Sequence, residues 1–184
     1  MKPGKIVFQG KSKSGRQIIF RYPAKDDLKS AWEYINTLSK EKTFILFQGE
    51  EVTLENEEKW LEGEINKISE RKAIQLFAFA SNKLIGISGV SMRDKAEKYI
   101  GNFGISLAKD FRGEGIGKLL TKAVLKETGK NLKDLKIITL GVFGNNSIAK
   151  KLYESMGFVE FGVLPKSLIR KGKFIDHIYM YKKV

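Results

Sequence analysis

"YIGNFGISLAKDFRGEGIGKLL", residues 99–120, packs three local signals into one run. Its first part reads as a strand, weakened by Gly101 and Gly104, and glycines inside a strand mark a bulge or a close approach by another backbone or a ligand. Gly113, Gly115 and Gly117 follow at every second position behind Arg112. Ile116, Leu119, Leu120, Ala123 and Val124 then make one apolar stripe at helical spacing. Strand, glycine turn and helix start together aim unobstructed backbone N–H groups, reinforced by the helix dipole, at an anion such as a pyrophosphate. Lys109, Arg112 and Lys118 add full charge around that point. A plain strand-to-helix turn is the competing reading.

The commonest nucleotide loops do not fit. The dinucleotide fingerprint G-x-G-x-x-G needs a glycine at 118, where Lys118 stands. The P-loop needs a glycine at 112 and a hydroxyl at 119, and the chain has Arg112 and Leu119. R-x-x-G-x-G, Arg112 to Gly117, is what remains.

Working outward, "KIVFQGKSKSGRQIIFRYP" predicts an N-terminal hairpin over 5–22 that ends at Pro23. Leu28, Ala31, Trp32 and Ile35 form one amphipathic face, and a second helix starts at Thr53, with Leu61, Ile65 and Ile68 inward and Glu55, Glu57 and Glu58 near its positive end. "TFILFQGEE" between them is a short apolar piece. "AIQLFAFASNKLIGISGVSMRD" reads as two buried strands joined at Ser81-Asn82-Lys83. "KIITLGVFG" is a further strand. "NNSIAKKLYESMGF" is a short helix with Gly157 placed to cap it. Phe158–Val163 and Phe174–Tyr181 close the chain as β segments, with "KSLIRKGKF" expected as a basic loop between them.

The 184 residues fit one domain, 1–184, with no repeat or linker, and the absence of cysteine rules out disulfides and thiolate chemistry. With His177 the only histidine, no metal site is expected. No apolar run approaches the roughly 20 residues of a membrane span, and "MKPGKIVFQG" lacks a signal peptide's apolar core, so a cytoplasmic protein without a membrane partner is expected. The formal charge of +13 is concentrated at the ends: residues 1–48 carry 10 basic and 4 acidic side chains, and residues 164–184 carry 6 and 1. Such a surface attracts an anionic cofactor, an acidic protein or nucleic acid.

"GISLAKDFRGEGIGKLL" resembles the acetyl-coenzyme A motif of the Gcn5-related N-acetyltransferase (GNAT) superfamily. "NNSIAKKLYESMGF", about 28 residues past Gly117, resembles the same superfamily's N-x-x-A-x-x-L-Y-x-x-x-G-F, here Asn146, Ala149, Leu152, Tyr153, Gly157 and Phe158. The tail and "VTLENEEKWL" look nearest the phosphinothricin and ribosomal-protein acetyltransferase branch. The resemblance implies an α+β, three-layer α/β/α fold whose mixed, mostly antiparallel sheet of about seven strands is flanked by about four helices. The N-terminal hairpin is then an addition.

The resemblance also implies roles. The backbone of Ile105 to Leu107 would pair with the pantetheine arm, and the amides from Gly113 through Gly115, Ile116 and Gly117 to Lys118, with Arg112, would hold the pyrophosphate of acetyl-coenzyme A. Asn146 would fix the cofactor arm, its alternative being a simple helix N-cap. Tyr153 would protonate the leaving thiolate, its alternative being core packing. Related enzymes of the phosphinothricin type place a glutamate where this chain has Asn102, and an amide accepts no proton at neutral pH. Either Asn102 positions a water or a carboxylate elsewhere serves, with Glu50, Glu51, Glu97 and Asp176 as candidates; His177 titrates in a useful range but reads more readily as structural. The expected activity is direct acetyl transfer to a primary amine of a small molecule, amino acid or protein N-terminus, by a monomer or homodimer. The competing reading is a basic nucleic-acid- or ribosome-associated module on the same fold.

Overall fold

The computed structural model describes all 184 residues. Its strands are β1 (Ile6–Lys11), β2 (Gln17–Arg21), β3 (Ala73–Ala80), β4 (Lys83–Met92), β5 (Ile100–Leu107), β6 (Ile137–Phe143), β7 (Val159–Arg170) and β8 (Lys173–Lys183). The helices are α1 (Leu28–Glu41), α2 (Leu54–Ser69), α3 (Ile116–Asn131) and α4 (Ser147–Ser155). The strands form one sheet in the order β1-β2-β3-β4-β5-β6-β8-β7. Only the β5–β6 pair is parallel.

Side chains alternate across this sheet and define its two faces. Ala31, Tyr34 and Leu38 of α1 and Leu61 of α2 pack on Phe77, Phe79 and Leu84. On the other face Ile116, Leu120 and Val124 of α3 and Tyr153 of α4 pack with Leu76, Ala78, Phe103, Leu140 and Met180. This is the α/β/α layering expected from the sequence. The sheet has eight strands where about seven were expected, and two of them come from the N-terminal hairpin, which is built into it. β2 pairs antiparallel with β3 through Ile19↔Phe79, and the hairpin buries Ile18, Phe20 and Tyr22.

Local chemistry sets the element ends. The Thr53 hydroxyl accepts from the Asn56 N–H at 3.2 Å and starts α2. Gly157, at φ +83°, ends α4 in a conformation that suits glycine. Ser81 and Asn82 both have positive φ, the twist that a two-residue hairpin turn needs. Glu57, on α2, is buried at 5% exposure with no hydrogen-bond partner, and its burial pushes the carboxyl up to about 7.

One expected loop is a hairpin instead. β7 continues through Leu168–Arg170, paired with Lys173–Ile175, and a two-residue turn at Lys171-Gly172 replaces the loop. The Lys and Gly content that suggested a loop belongs to that turn and to the irregularity between Leu164 and Leu168, where Lys166 has φ 51°. Residues 42–53 form an irregular connection fixed by α1, with Ser39 Oγ donating to the Glu50 carbonyl at 2.6 Å and the Val52 N–H donating to Asn36 Oδ1 at 2.9 Å. No helix is long and apolar enough to cross a membrane.

Candidate active site

The sheet opens at one seam. β5 and β6 pair only over Ile100–Asn102 and Ile137–Thr139, whereas β5 runs on to Leu107 with β4 as its sole partner. The Tyr99 carbonyl accepts from the Lys136 N–H at 2.9 Å, and the Ala108 N–H donates to the Ile85 carbonyl at 2.8 Å, so odd-numbered residues of β5 direct their backbone groups toward β6. Past the seam, Phe103, Ile105 and Leu107 therefore face a gap. An extended ligand arm can add there as a strand does.

The glycine loop stands at the far end of that gap. Gly113 and Gly115 both have φ +80°, and Gly115 is the residue before α3. The first intrahelical bond is Leu119 N–H to the Gly115 carbonyl at 3.2 Å, which leaves the amides of Ile116, Gly117 and Lys118 without a helical acceptor. A Cβ at Gly113 would meet nothing within 4 Å, so backbone is open to an incoming anion. Ile116 is fully buried and anchors the helix start. Arg112 departs from expectation: its Nε donates to the Leu107 carbonyl at 2.9 Å and its Nη2 pairs with Glu41 at 2.7 Å. Its charge is taken up by α1, and it shapes the loop from behind. Lys109 and Lys118 are exposed and have no carboxylate partner.

On the α3/α4 face, Asn146 Oδ1 accepts from the Ala149 N–H at 3.2 Å and caps α4, with Nδ2 still to place. Tyr153 is 6% exposed, edge-on to Phe103 with ring centroids 5.9 Å apart, and its hydroxyl has no hydrogen-bond partner in the protein. Burial pushes its phenol up to about 12, so it carries its proton at neutral pH. Gly117 leaves room for Leu107 and Leu152 beside it.

On the α1/α2 face, a cavity of ≈ 280 Å³ is lined by Gln75, Ile87, Gly89, Asn102, Gly104 and Ser106, among others. Asn102 Oδ1 accepts from Arg93 Nη2 at 2.9 Å and from Thr139 Oγ1 at 2.9 Å. Because Arg93 only donates, the amide presents its Nδ2 donor elsewhere and has no acceptor left for a proton or for a water that must lose one. Arg93 in turn pairs with Glu97 at 2.7 Å. The other carboxylate candidates are also committed or remote. Glu50 accepts the Gln48 N–H, and backbone N–H bonds from its own residue and Gln48 hold it below the usual carboxylate range. Asp176 accepts from the Lys166 N–H at 2.9 Å. None of Glu50, Glu51, Glu97 and Asp176 lines the cavity, and His177 does not line it either.

His177 packs its ring 4.3 Å from that of Tyr179, as a structural residue does. Ile178 and Met180 point into the α3/α4 core, so His177 and Tyr179 lie on the α1/α2 face. The imidazole lies over Gly141 of β6: a Cβ there would be 2.8 Å from Cε1 and closer to Nε2. Neither ring nitrogen has a hydrogen-bond partner, and burial lowers the ring's pKa, keeping it neutral near pH 7. The register of β8 on β6 puts it there, and only the glycine at 141 signals it in the sequence. Arg93 and Thr139 carried no local signal at all.

The comparisons identify the family and the fold. The family model described as "Acetyltransferase (GNAT) family" matches residues 32–158. The chain belongs to that family, N-acetyltransferases that draw the acetyl group from acetyl-coenzyme A. It is 26% identical over 116 residues to the L-amino acid N-acetyltransferase AaaT of Escherichia coli (strain K12), covering 62% of this chain and 71% of that protein. A GNAT-family acetyltransferase structure from Streptococcus pneumoniae superposes with a TM-score of 0.82 at 26% identity, over 91% of this chain and 99% of that one. The fold is also that of YncA from Salmonella typhimurium, solved with acetyl-coenzyme A, at a TM-score of 0.78, 17% identity, 90% of this chain and 93% of that one. The basic hairpins β1–β2 and β7–β8 form opposite edges of the sheet, so their charge does not merge into a single stripe.

Proposed function

We propose that the chain transfers the acetyl group of acetyl-coenzyme A directly to a primary amine of a small molecule, an amino acid or a protein N-terminus. The observation that carries this is the opened β5 edge past Asn102, with the α3 N-terminus at one end and a polar cavity on the α1/α2 face. The free amides of β5 hold the pantetheine arm, those of residues 113–118 hold the pyrophosphate, and Asn146 Nδ2 steadies the arm between them. An amine in the cavity approaches the thioester from the face opposite Tyr153.

Three demands then fall on named groups. A β5 amide beside Ile105 donates to the oxygen that becomes negative as the amine attacks the thioester carbon. His177 Nε2, neutral and unpartnered, takes the proton from the amine nitrogen. Tyr153 gives its proton to the sulfur as the C–S bond breaks, leaving free thiol and amide. Asn102, held by Arg93 and Thr139, fixes the seam and offers its Nδ2 to the acceptor.

Isothermal titration with acetyl-coenzyme A tests the cofactor reading, and a free-thiol assay across a panel of amines tests transfer. Micromolar binding with thiol release for at least one amine is expected. No binding at high micromolar ligand sinks the proposal.

A further inference from the structure

The tip of the β1–β2 hairpin, Ser12–Arg16, rests on the glycine loop. The Lys13 N–H donates to the Glu114 carbonyl at 3.0 Å, and Ser12 Oγ donates to Glu114 Oε2 at 2.6 Å. Ser14 donates to the same oxygen, and Arg16 pairs with Oε1 at 3.4 Å. Arg16 also donates to the Asp110 carbonyl at 3.3 Å and stacks over Phe111. The Lys13 stem lies along Gly115: a Cβ there would be 3.4 Å from both Cγ and Cε. Lys13 is exposed and has no carboxylate partner.

We propose that this hairpin tip is a working part of the cofactor site, holding the Glu114 carboxylate off the glycine loop and setting the Lys13 ammonium against the phosphates of coenzyme A. The proposal rests on reading residues 113–118 as the pyrophosphate cradle. Glu114 sits between the two glycines that shape that cradle, so an unrestrained carboxylate would face the incoming phosphates and repel them. The serine hydrogen bonds hold Glu114 below the usual carboxylate range, so it is charged at neutral pH and needs restraint. Arg16 offsets that charge. Lys13 is then an uncompensated cation, as Lys109 and Lys118 are, and its stem lies along Gly115, covering backbone that has no side chain of its own. The hairpin's pairing with β3 makes this possible, because it fixes the tip at the end of the sheet where β5 gives way to the loop.

The test is titration of coenzyme A, dephospho-coenzyme A and phosphate-free S-acetylpantetheine into wild type, Lys13→Met and Lys5→Met. Lys5 lies at the other end of the same hairpin, and its substitution changes charge equally. Lys13→Met should weaken coenzyme A roughly five- to tenfold at low salt, with the gap closing as salt is raised, while Lys5→Met leaves affinity unchanged. A loss that persists with dephospho-coenzyme A assigns Lys13 to the pyrophosphate, and one that vanishes assigns it to the 3′-phosphate. Ser12→Ala/Ser14→Ala should weaken binding as well, and adding Glu114→Gln should restore it, a rescue that a merely structural hairpin would not give. Unchanged affinity in Lys13→Met, an equal loss with S-acetylpantetheine, or no rescue by Glu114→Gln overturns the proposal. A wild type that binds no coenzyme A overturns the cradle reading beneath it.

Discussion

Gly141→Ala removes the proposed proton acceptor without touching it. The new Cβ would lie 2.8 Å from His177 Cε1 and 3.1 Å from Cδ2, and closer still to Nε2. Unbonded carbons settle at about 3.5–4.0 Å, so the ring must move by about 1 Å or more. A displacement of that size at a reacting group costs on the order of 100-fold, within the range of about 10²–10⁴ for losing a general base outright. Gly141→Ala and His177→Ala should therefore each lower kcat/KM about 100-fold at pH 7, and the double variant should be little worse than either. Cofactor affinity should stay within about threefold, since the methyl projects from the α1/α2 face. The pH profile separates loss of a base from general damage. With His177 taking the proton from an ammonium substrate, wild-type kcat/KM rises to a plateau whose acid inflection lies below 6.5, because burial lowers the ring's pKa. Without it the amine must arrive already neutral, so the inflection moves up to the amine's own pKa, about 8 for an α-amino group. A thiol-release assay from pH 5.5 to 9 reads both. A His177→Ala enzyme that keeps the low inflection and wild-type kcat/KM would falsify the assignment.

Two further outcomes follow from buried ionisable groups. Tyr153→Phe keeps the edge contacts with Phe103 and Phe158 and loses a hydroxyl that has no protein partner, so kcat should fall about 100-fold while acetyl-coenzyme A titrates as in wild type; an unchanged turnover number removes Tyr153 from the proton path. Glu57→Gln should stabilise the fold in a pH-dependent way. The folded carboxyl, pushed up to about 7 by burial, favours the native state only while it is protonated, so wild-type stability is full below 4.5 and declines as pH rises through about 7. The shift corresponds to about 3 kcal/mol, reduced to about 2 kcal/mol once nearby water screens the charge. Urea unfolding should show that gain for Glu57→Gln at pH 8 and none at pH 4, and an equal gain at both would mean that Glu57 keeps an ordinary carboxyl.

What the sequence made legible was what its neighbours in the chain control. Gly113 and Gly115 need positive φ, Thr53 and Asn146 cap the helices that follow them, and Gly157 ends α4; each is a contact within four residues. The glycine turn before α3 was readable for that reason, whereas Tyr153 was singled out by the family resemblance. The groups without a local signal belong to pairings across the sheet. Lys13 meets Glu114 only because β2 adds to β3, and His177 meets Gly141 only because β8 returns beside β6 in one register. A one-residue slip in β8 would turn His177 into the α3/α4 core. The 164–173 segment failed for the converse reason: its local composition is loop-like, and a partner strand overrides it.

The same register explains why a glutamate at position 102 would serve poorly as a base. Arg93 already donates two N–H groups to Asn102 Oδ1, at 3.2 and 2.9 Å, and the Thr139 hydroxyl donates to it as well. A carboxylate in that place would be an ion pair with three hydrogen-bond donors, which lowers its pKa and makes it reluctant to accept a proton. Asparagine instead ties β4's exit, β5 and β6 together at the last residue where the two parallel strands still pair, so the gap opens from a fixed point. In the proposed mechanism proton acceptance falls instead to β8 across the gap, where the imidazole has no donor competing for it. On that proposal, fixing the seam and accepting the proton are divided between two residues on opposite sides of the opening. Both depend on glycine: Gly104 keeps the β5 wall clear, and Gly141 keeps the β6 wall low enough for His177 to lie across it.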